Sequence, residues 1–287
     1  MPGPGPGARV RADQLLVDRG LARSRAEAQA LILAGAIRIE GAEGRRLAAG
    51  QRLDPSLTLV RDPGPAWASR GGEKLAAALD AFKVEVDGLV CLDAGASTGG
   101  FTDVLLARGA RRVFAVDVGH GQLLPRLASD PRVEVLDRTN LRTLASLPEP
   151  VGLATLDLSF ISLRLVLDPV RRLLAPGGRV VALVKPQFEA GRADVPRGGV
   201  VRDPAVQRRV LVQLAADARE AGLAAVDLVA SPRTGRQGNR EFLALLRAVG
   251  PEGPGARPAD SRAEGSRAED AAWVALVDGA LESRITI

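Results

Sequence analysis

The sequence predicts an α/β fold in which a mostly parallel, seven-stranded sheet follows a small α+β module. From about residue 67 to residue 247, seven apolar segments alternate with helix-like segments. Near-continuous apolar strands separated by helices are typical of parallel sheets covered on both faces. Residues 9–62 form a short basic unit instead, and the Pro/Gly-rich linker at 63–68 sets it apart. A length of 287 residues is consistent with two domains.

Composition excludes several classes of protein. Hydrophobic residues make up 46% of the chain, which is enough for a buried core. A single cysteine, Cys91, allows no internal disulfide and no cysteine-rich zinc site, and we expect no metal. The longest apolar runs fall far short of the roughly 20 residues that cross a bilayer, and the first residues do not resemble a signal peptide. We therefore expect a cytoplasmic protein that does not enter membranes.

Arginine greatly outnumbers lysine among the basic residues. The net charge is +5, which favours an anionic partner such as nucleic acid, and only three of the 39 basic residues are lysines: Lys74, Lys83 and Lys185. Such a bias is typical of GC-rich genomes. A retained lysine then indicates a place where a titratable ammonium is needed, because guanidinium stays protonated in proteins. The alternative is that these lysines were retained by chance.

The N-terminal unit begins after residues 1–8, which we expect to be disordered. A first helix is predicted over Asp13–Arg19 and a second from Ser24 to Gly35. The second opens with a capping box, in which Ser24 and Glu27 are each expected to accept from the other's backbone N–H. Alternating residues predict strands at 37–39 and 57–60, with a turn at Gly41.

Arginines are concentrated around these two helices. The unit holds ten arginines and seven acidic residues. A solvated charged face is one interpretation. The other is RNA binding, because the stretch RADQLLVDRGLARSRAEAQALILAGAIRIEG resembles the S4-type RNA-binding domain. The resemblance implies RNA contacts by Arg9, Arg11, Arg23, Arg25 and Arg38.

The remaining elements follow from the pattern of apolar runs. Strands are predicted at 89–94, 112–117, 132–136, 153–157, 179–185, 225–230 and 240–246. Helices are predicted at 101–108, 164–174 and 204–221. The α/β domain would thus occupy 69–249. Low-complexity residues 250–270 are expected to be a disordered insertion, and 271–287 a C-terminal helix and tail.

A glycine-rich turn joins the first strand of this domain to a helix. It runs from Asp93 to Phe101 and has neither the dinucleotide glycine spacing nor the lysine of a P-loop. Asp117 follows Gly95 by 22 residues, where an acid can accept from both hydroxyls of a ribose. Asp137 is either an acceptor for an adenine amino group or a structural cap. A ribose-bearing cofactor without pyrophosphate suggests S-adenosylmethionine.

Three further charged residues lie where predicted strands begin or end. Asp157 and Lys185 each end an apolar run, and Glu241 lies at the start of the last strand. Desolvation lowers the pKa of an ammonium group, so an enzyme can use such a lysine as a base. A snorkelling surface lysine and an exposed strand-start acid are the alternatives for Lys185 and Glu241. His120 is expected to lie in a loop beside the cofactor, without a catalytic role.

Taken together, these segments resemble one family. The strings SRGGEKL, CLDAGASTGGFTDVLL, AVDVGHGQL, LDRTN, LDLSFISL, LVKPQFE, GGVVRDP and GNREF are similar to the TlyA family of S4-domain ribosomal-RNA 2′-O-methyltransferases. Its catalytic domain is of the FtsJ/RrmJ type, a Rossmann-like class I methyltransferase. The resemblance implies a catalytic tetrad of Lys74, Asp157, Lys185 and Glu241. It also implies cofactor-binding residues Asp93, Gly95, Ala96, Ser97, Thr98, Gly99, Gly100, Phe101, Asp117, Asp137 and Asp157.

The resemblance further implies S-adenosylmethionine as methyl donor and a cytidine ribose of 16S or 23S ribosomal RNA as acceptor. Ribosomal subunits are the expected partner, and a monomer is favoured. An RNA-binding protein with an inactive methyltransferase domain is one alternative, and a membrane-active haemolysin is another, since the family has carried that name. The family linker Arg-Ala-Trp-Val is replaced here by Pro65-Ala66-Trp67-Ala68, which could alter coupling between the two domains.

Overall fold

The computed structural model describes residues 9–33, 36–41, 47–48, 50–61, 67–235, 238–250 and 259–283. Two compact units follow each other along the chain and divide at Trp67. The predictions for residues 1–8 and 251–258, for the helix end at Gly35 and for linker positions 65–66 lie outside the described residues.

The N-terminal unit is built from two helices and two antiparallel strand pairs. Its elements are β1 (Val10–Arg11), α1 (Ala12–Asp18), α2 (Arg25–Leu33), β2 (Ile37–Ile39), β3 (Arg52–Leu53) and β4 (Leu59–Arg61). Strand β1 pairs with β3, and β2 pairs with β4. Both helices and β2 lie where the sequence predicts them. The two-residue strands β1 and β3 were not predicted, and β4 begins two residues late because Leu57 closes a turn on Asp54.

The start of α2 differs from the predicted capping box. The Glu27 backbone N–H donates to Ser24 Oγ at 3.2 Å, as expected. The Glu27 carboxylate, however, accepts from the backbone N–H of Arg23 at 2.8 Å rather than from that of Ser24. The reciprocal half of the prediction is therefore wrong by one residue. Arg23 also contributes its Nε, at 3.2 Å, so the carboxylate gains two donors from one residue there.

The second unit alternates strands and helices. It consists of α3 (Arg70–Ala81), β5 (Val90–Ala94), α4 (Gly100–Ala107), β6 (Arg112–Val116), α5 (Pro125–Ala128), β7 (Val133–Leu136), β8 (Val151–Leu156), α6 (Leu167–Leu173), β9 (Leu174–Val184), α7 (Pro186–Glu189), α8 (Pro204–Glu220), β10 (Leu223–Ala230), β11 (Phe242–Ala248) and α9 (Ala259–Glu282). Short 3₁₀ turns lie at Leu163–Leu165 and Arg192–Asp194. The glycine pair within SRGGEKL concealed α3, which was not among the predicted helices.

These strands form one seven-stranded sheet in the order β10-β11-β9-β8-β5-β6-β7. The strands from β9 to β7 are parallel, and β11 runs antiparallel to both of its neighbours. The prediction of an α/β fold with a mostly parallel seven-stranded sheet is confirmed. Because β11 is reversed, its first residue lies at the same sheet edge as the carboxyl ends of β5, β8 and β9.

Helices cover both faces of the sheet. Alternate strand residues explain this: Leu92 and Phe114 belong to the core under α6, α8 and α9, whereas Cys91 and Val113 belong to the core under α3 and α4. All four side chains are fully buried. Strands buried on both faces have no polar side in their sequence, and so they appear as continuous apolar runs.

The C-terminal helix begins earlier than the sequence predicted. Helix α9 starts at Ala259, so the expectation of disorder over 250–270 is wrong for residues 259–270. That segment is rich in alanine, arginine and glutamate, which have high helix propensity despite their low complexity. The helix packs against the sheet through Trp273, whose indole N–H donates to the Leu211 carbonyl at 2.8 Å. Val277 is fully buried beside it.

Candidate active site

Three of the four predicted catalytic residues lie at one edge of the sheet. Asp157 directly follows β8, and Lys185 directly follows β9. In the antiparallel pair, Phe242 lies opposite Val184, so Glu241 and Lys185 come side by side just beyond the ladder. Topology alone therefore brings together residues that are as many as 84 positions apart in the chain.

The four residues form two ion pairs. Lys185 Nζ lies 2.6 Å from Asp157 Oδ1 and donates to Ser159 Oγ at 3.1 Å. Lys74 Nζ lies 2.5 Å from Glu241 Oε2. Both lysines and Glu241 are buried, whereas 27% of the Asp157 side chain is exposed. Each ammonium is thus held by a carboxylate at a site that is largely shielded from water.

Helix α3 brings Lys74 to the sheet edge. Ser69 caps this helix by accepting from the Gly71 N–H at 3.2 Å. Gly72 permits close packing, because a Cβ there would lie 2.9 Å from the Gly100 carbonyl oxygen and 2.4 Å from Trp67 Cβ. A Cβ on Gly71 would lie 3.5 Å from Asp157 Oδ2, so the start of α3 also approaches the second ion pair. The two glycines explain how the helix reaches the site.

The predicted glycine turn joins β5 to α4 at the same edge. Gly95 has φ +85°, and a Cβ there would lie 2.5 Å from the Asp157 carbonyl oxygen. Gly99 has φ +97°, and a Cβ there would lie 2.3 Å from Leu127 Cδ1. Both positions therefore require glycine for conformation and for space. Ser97 and Thr98, between them, are exposed at the tip of the turn, and Ala96 is buried.

Asp93 is fully buried beneath this turn. Its Oδ2 accepts from the backbone N–H and the hydroxyl of Thr102, at 2.8 and 2.6 Å. Its Oδ1 is also buried and has no hydrogen-bond partner in the described part of the protein. Burial raises the pKa of Asp93 to about 7, and the charges of Asp157 and Asp117 raise it further against the effect of Thr102. One buried acceptor thus remains open beside the turn.

Asp117 and Asp137 follow neighbouring strands. Asp117 accepts from the backbone N–H of Ser97 at 2.9 Å and from that of Gly119 at 2.7 Å, so each oxygen keeps a lone pair. Asp137 Oδ2 accepts from the Gly121 N–H at 2.7 Å. The hydrogen bond from Gly121 is the main reason that the pKa of Asp137 lies below its usual value, and His120 Nδ1, at 2.9 Å, adds to the effect. These contacts orient both carboxylates next to the turn.

Two of the predicted cofactor-binding residues, Phe101 and Gly100, have no exposed side chain. They contribute packing contacts or backbone N–H groups instead. Phe101 is buried in the core between α3 and α4. A Cβ on Gly100 would lie only 2.2 Å from Ser69 Oγ, so this position serves the contact with α3. Their place at the start of α4 still directs free N–H groups towards the turn.

Sequence reasoning overlooked several side chains around Lys185. Ser159 accepts one of its hydrogen bonds, and the ring of Phe188 lies 5.9 Å from its Nζ. The ring of Phe160 contacts that of Phe188 in a tilted arrangement, with centroids 5.1 Å apart. Phe160 is 88% exposed and has φ +64°. Glu189 holds this loop by accepting from Ser162 Oγ at 2.7 Å and from a backbone N–H. The strings LDLSFISL and LVKPQFE carry these residues, but no residue in them points to its partner.

The five arginines of the N-terminal unit differ in their surroundings. Arg11 and Arg25 lie 2.9 and 3.3 Å from the buried carboxylate of Asp13. Arg23 pairs with Glu27 and is 94% exposed. Arg9 and Arg38 are exposed as well. The structure thus divides the predicted RNA-binding set into two residues anchored on a buried carboxylate and three that are exposed at the surface.

Comparison with known proteins agrees with this geometry. The FtsJ-like methyltransferase family matches residues 67–248, and the S4 domain matches residues 10–43. The TlyA 16S/23S rRNA (cytidine-2′-O)-methyltransferase of Mycobacterium tuberculosis is 49% identical over 243 residues, covering 83% of this chain and 90% of the relative. The chain belongs to the TlyA family.

Other members of the family carry a different name. Hemolysin A of Brachyspira hyodysenteriae is 36% identical over 238 residues, covering 82% of this chain and 98% of the relative. A solved structure from Streptococcus thermophilus that also carries the hemolysin name is 35% identical, with a TM-score of 0.68 over 95% of this chain and 96% of that one. The described residues contain no helix long and apolar enough to span a bilayer. They also contain no group of three or more potential metal ligands.

Proposed function

We propose that the protein transfers a methyl group from S-adenosylmethionine to the ribose 2′-oxygen of a cytidine in ribosomal RNA. The single observation that carries this proposal is the pair of carboxylate-held ammonium groups, Lys185–Asp157 and Lys74–Glu241, at the sheet edge next to the glycine turn. The names of relatives that are up to 49% identical support the substrate class.

The residues around the turn fit S-adenosylmethionine. Gly95 and Gly99 leave the backbone open where a side chain would collide, and Asp93 Oδ1 is a buried acceptor with no hydrogen-bond partner among the described residues. Asp117 would accept from the ribose hydroxyls of the cofactor, and Asp137 from its adenine amino group. When bound, the cofactor supplies a methyl group already activated on a sulfonium. The protein then has to position and activate the acceptor oxygen.

Lys185 is the residue that activates the acceptor. A ribose hydroxyl is a poor nucleophile until its proton is removed or strongly hydrogen-bonded. With the cofactor bound, the free amine of Lys185 would take the 2′-hydroxyl proton while the oxygen bonds to the methyl carbon and the methyl–sulfur bond breaks. The sulfur would leave as a neutral thioether, and the lysine would later release its proton to water. Asp157, at 2.6 Å, stabilises the ammonium that results, and Ser159 fixes its direction. Much of the acceleration comes from alignment in a site shielded from water.

Lys74 has a different role, because its partner is the buried carboxylate of Glu241. The ammonium of Lys74 places positive charge near the developing alkoxide and the neighbouring phosphate, and Glu241 keeps it in position. The exposed ring of Phe160, close to Lys185, is a surface on which an unstacked nucleobase can lie. The site thus provides groups for the sugar, its phosphate and its base.

Binding to ribosomal RNA is shared with the N-terminal unit. We assign residues 9–62 to RNA binding, 69–249 to catalysis and 63–68 to the linker. Arg9, Arg23 and Arg38 would contact phosphates, which position the protein on RNA without reading its sequence. Arg11 and Arg25, held by Asp13, would present a fixed pair of guanidinium groups. We expect a cytoplasmic monomer acting on ribosomal subunits.

The chain offers a matched pair of variants to test the role of Lys185. Lys185→Met removes the amine at the site, whereas Lys83→Met removes an exposed lysine just beyond the C-terminal end of α3. Methyl transfer from labelled S-adenosylmethionine to ribosomal subunits lacking the modification should fall about a thousandfold for Lys185→Met, because general-base catalysis contributes about 10²–10⁴. Lys83→Met should match the wild type.

Calorimetry completes the experiment. Both variants should bind S-adenosylmethionine with wild-type affinity, since neither lysine holds the cofactor in this proposal. Turnover by Lys185→Met at the wild-type rate would refute its role. A wild-type protein that binds RNA but releases no heat with S-adenosylmethionine would favour the inactive-methyltransferase alternative.

A further inference from the structure

The loop between α7 and α8 carries three exposed arginines: Arg192, Arg197 and Arg202. None of them has an ion-pair partner within the part of the chain that the structure describes. The acidic residues of this loop are already engaged. Asp194 lies 2.6 Å from Arg209, and Asp203 caps α8 by accepting from the Ala205 N–H at 2.9 Å. Arg209 already neutralises Asp194, so the three arginines of the loop face one remaining carboxylate and the loop has an excess of positive charge.

A buried side chain fixes this loop beside the site. Asn239 donates to the Gly199 carbonyl at 2.9 Å and accepts from the Val201 N–H at 3.1 Å. It is 2% exposed and precedes Glu241 by two residues. Gln207 secures the other side of the loop by donating to the Val201 carbonyl at 2.8 Å. Arg197 and Arg202 thus flank a short segment that is tied to the strand carrying a tetrad residue.

The turn that presents Arg197 depends on glycine. The Gly199 N–H donates to the Pro196 carbonyl at 3.0 Å, and Gly198 and Gly199 have φ of +106° and +71°. The hydrogen bond and the two positive φ angles define the backbone of this turn, which presents the Arg197 side chain to solvent. These features favour an anion-binding surface over a loop that only connects two helices.

We propose that Arg192, Arg197 and Arg202 bind phosphates of the RNA strand that carries the methylated nucleotide. This inference rests on the proposed function, because the site beside the loop then receives a polyanion with one charge for each nucleotide. Guanidinium groups suit phosphate through paired N–H donors. Contacts of this kind position the strand and carry no sequence information. The surface lies within the catalytic unit and adds to the RNA contacts expected of residues 9–62.

The test compares two double variants of the full-length protein. R197Q/R202Q removes two charges of the loop. K83Q/R247Q removes two exposed charges with no ion-pair partner in the described residues, and Arg247 lies at the opposite end of β11 from the site. Both variants lower the net charge from +5 to +3. The measurements are KM for unmodified ribosomal subunits and binding of fluorescein-labelled poly(C), each over a range of KCl concentrations.

We expect R197Q/R202Q to raise KM about tenfold at 0.1 M KCl and to leave kcat and the affinity for S-adenosylmethionine within about twofold. The slope of log affinity against log KCl should become shallower by about 1.5, since each phosphate contact contributes roughly 0.7–0.9. K83Q/R247Q should match the wild type. Wild-type KM and salt slope in R197Q/R202Q would overturn the proposal.

Two other outcomes are distinguishable. Weaker binding to subunits with unchanged binding to poly(C) would overturn the proposal in favour of an acidic ribosomal protein as the partner. A wild-type protein that transfers no methyl group would refute the proposed function, while the poly(C) comparison would still decide whether the loop binds RNA.

Discussion

Replacing Asp13 with asparagine should remove most of the free energy of unfolding of the N-terminal unit. This fully buried carboxylate receives hydrogen bonds from four residues. Its Oδ2 accepts from Arg11 at 2.9 Å, Gln29 at 2.9 Å and Arg25 at 3.3 Å. Its Oδ1 accepts from Arg11 Nε at 3.0 Å and from the Gln14 N–H at 2.9 Å. In the asparagine variant, an amide nitrogen would face three donors.

The expected cost follows from these contacts. Three hydrogen bonds to a charged oxygen are lost. Such bonds contribute about 1.5–3 kcal/mol each, but two of the donors here are half-exposed and can bond to water instead, so we take about 1 kcal/mol for each and about 3 kcal/mol in all. The cost stays below that of a stranded buried charge because Arg11 and Arg25 are half-exposed and regain water. A unit of this size is stable by about 5 kcal/mol. The substitution should therefore remove more than half of its stability.

Amide hydrogen exchange of the full-length protein measures this loss. Peptides within residues 9–33 and 50–61 should exchange about a hundredfold faster in Asp13→Asn at pH 7, with no change in the second unit. Arg23→Gln is the control, because its partner Glu27 forms only a surface ion pair, and it should change stability by less than about 0.5 kcal/mol. An acceleration below about fivefold would refute the reasoning.

The same experiment has a definite pH dependence. The Arg11 side chain, with help from Gln29 and Arg25, holds the pKa of Asp13 well below its ordinary value. A carboxyl with a lowered folded-state pKa stabilises the fold fully above the unfolded pKa of about 3.9 and loses that effect as the pH falls further. The difference between wild type and Asp13→Asn should therefore be constant from pH 5 to 8 and shrink below pH 4. At pH 3 the difference should be reduced but not abolished, because the folded-state pKa lies lower still. A difference as large at pH 3 as at pH 7 would show that the charge is not its cause.

Three other substitutions give direct tests of the second unit. Gly235→Ala should lower kcat at least about tenfold without changing cofactor affinity, because its Cβ would lie 2.0 Å from Glu241 Oε1. Gly250→Ala is the control: no atom lies within 4 Å of its Cβ, so it should have no effect. Asp93→Asn should flatten the pH dependence of stability: burial raises the pKa of Asp93 to about 7, so the wild-type free energy of unfolding should fall by roughly 4 kcal/mol between pH 4 and pH 8 in urea titrations. Trp273→Ala should cost about 3–5 kcal/mol in the same titrations, since the indole is buried, and a loss below 1 kcal/mol would contradict its packing role.

The sheet could be predicted from sequence because its strands are buried on both faces. All seven predicted strands overlap observed ones, as runs such as LVCLDA admit few other interpretations. Helix α3 was missed because two glycines interrupt its first turn, and their purpose becomes visible only when α4 lies against them. The start of α9 was missed because low complexity suggested disorder, whereas helix propensity together with the contacts of Trp273 determines the outcome. Tertiary contacts decided both cases.

The residues of the site differ in how much of their role could be predicted from the sequence. Asp157 and Lys185 stand out because a charged residue that ends a buried strand must lie at the sheet edge. The partner of Lys74 could be named only through family resemblance, since 167 residues separate it from Glu241. Asn239 could not be found at all: its role depends on two backbone groups of a distant loop, and a sequence carries no record of such contacts.

The lysine content shows how composition and geometry inform each other. In a chain with 36 arginines, two of the three lysines lie in ion pairs with carboxylates at the candidate site, and the third, Lys83, is exposed. Arginine could hold the same carboxylates, but its guanidinium cannot take up or release a proton. An ion pair needed only for stability would be expected to carry arginine here, as Asp13 and Asp103 do through Arg11 and Arg126. The use of lysine at position 185 is therefore better explained by proton transfer at the amine than by packing.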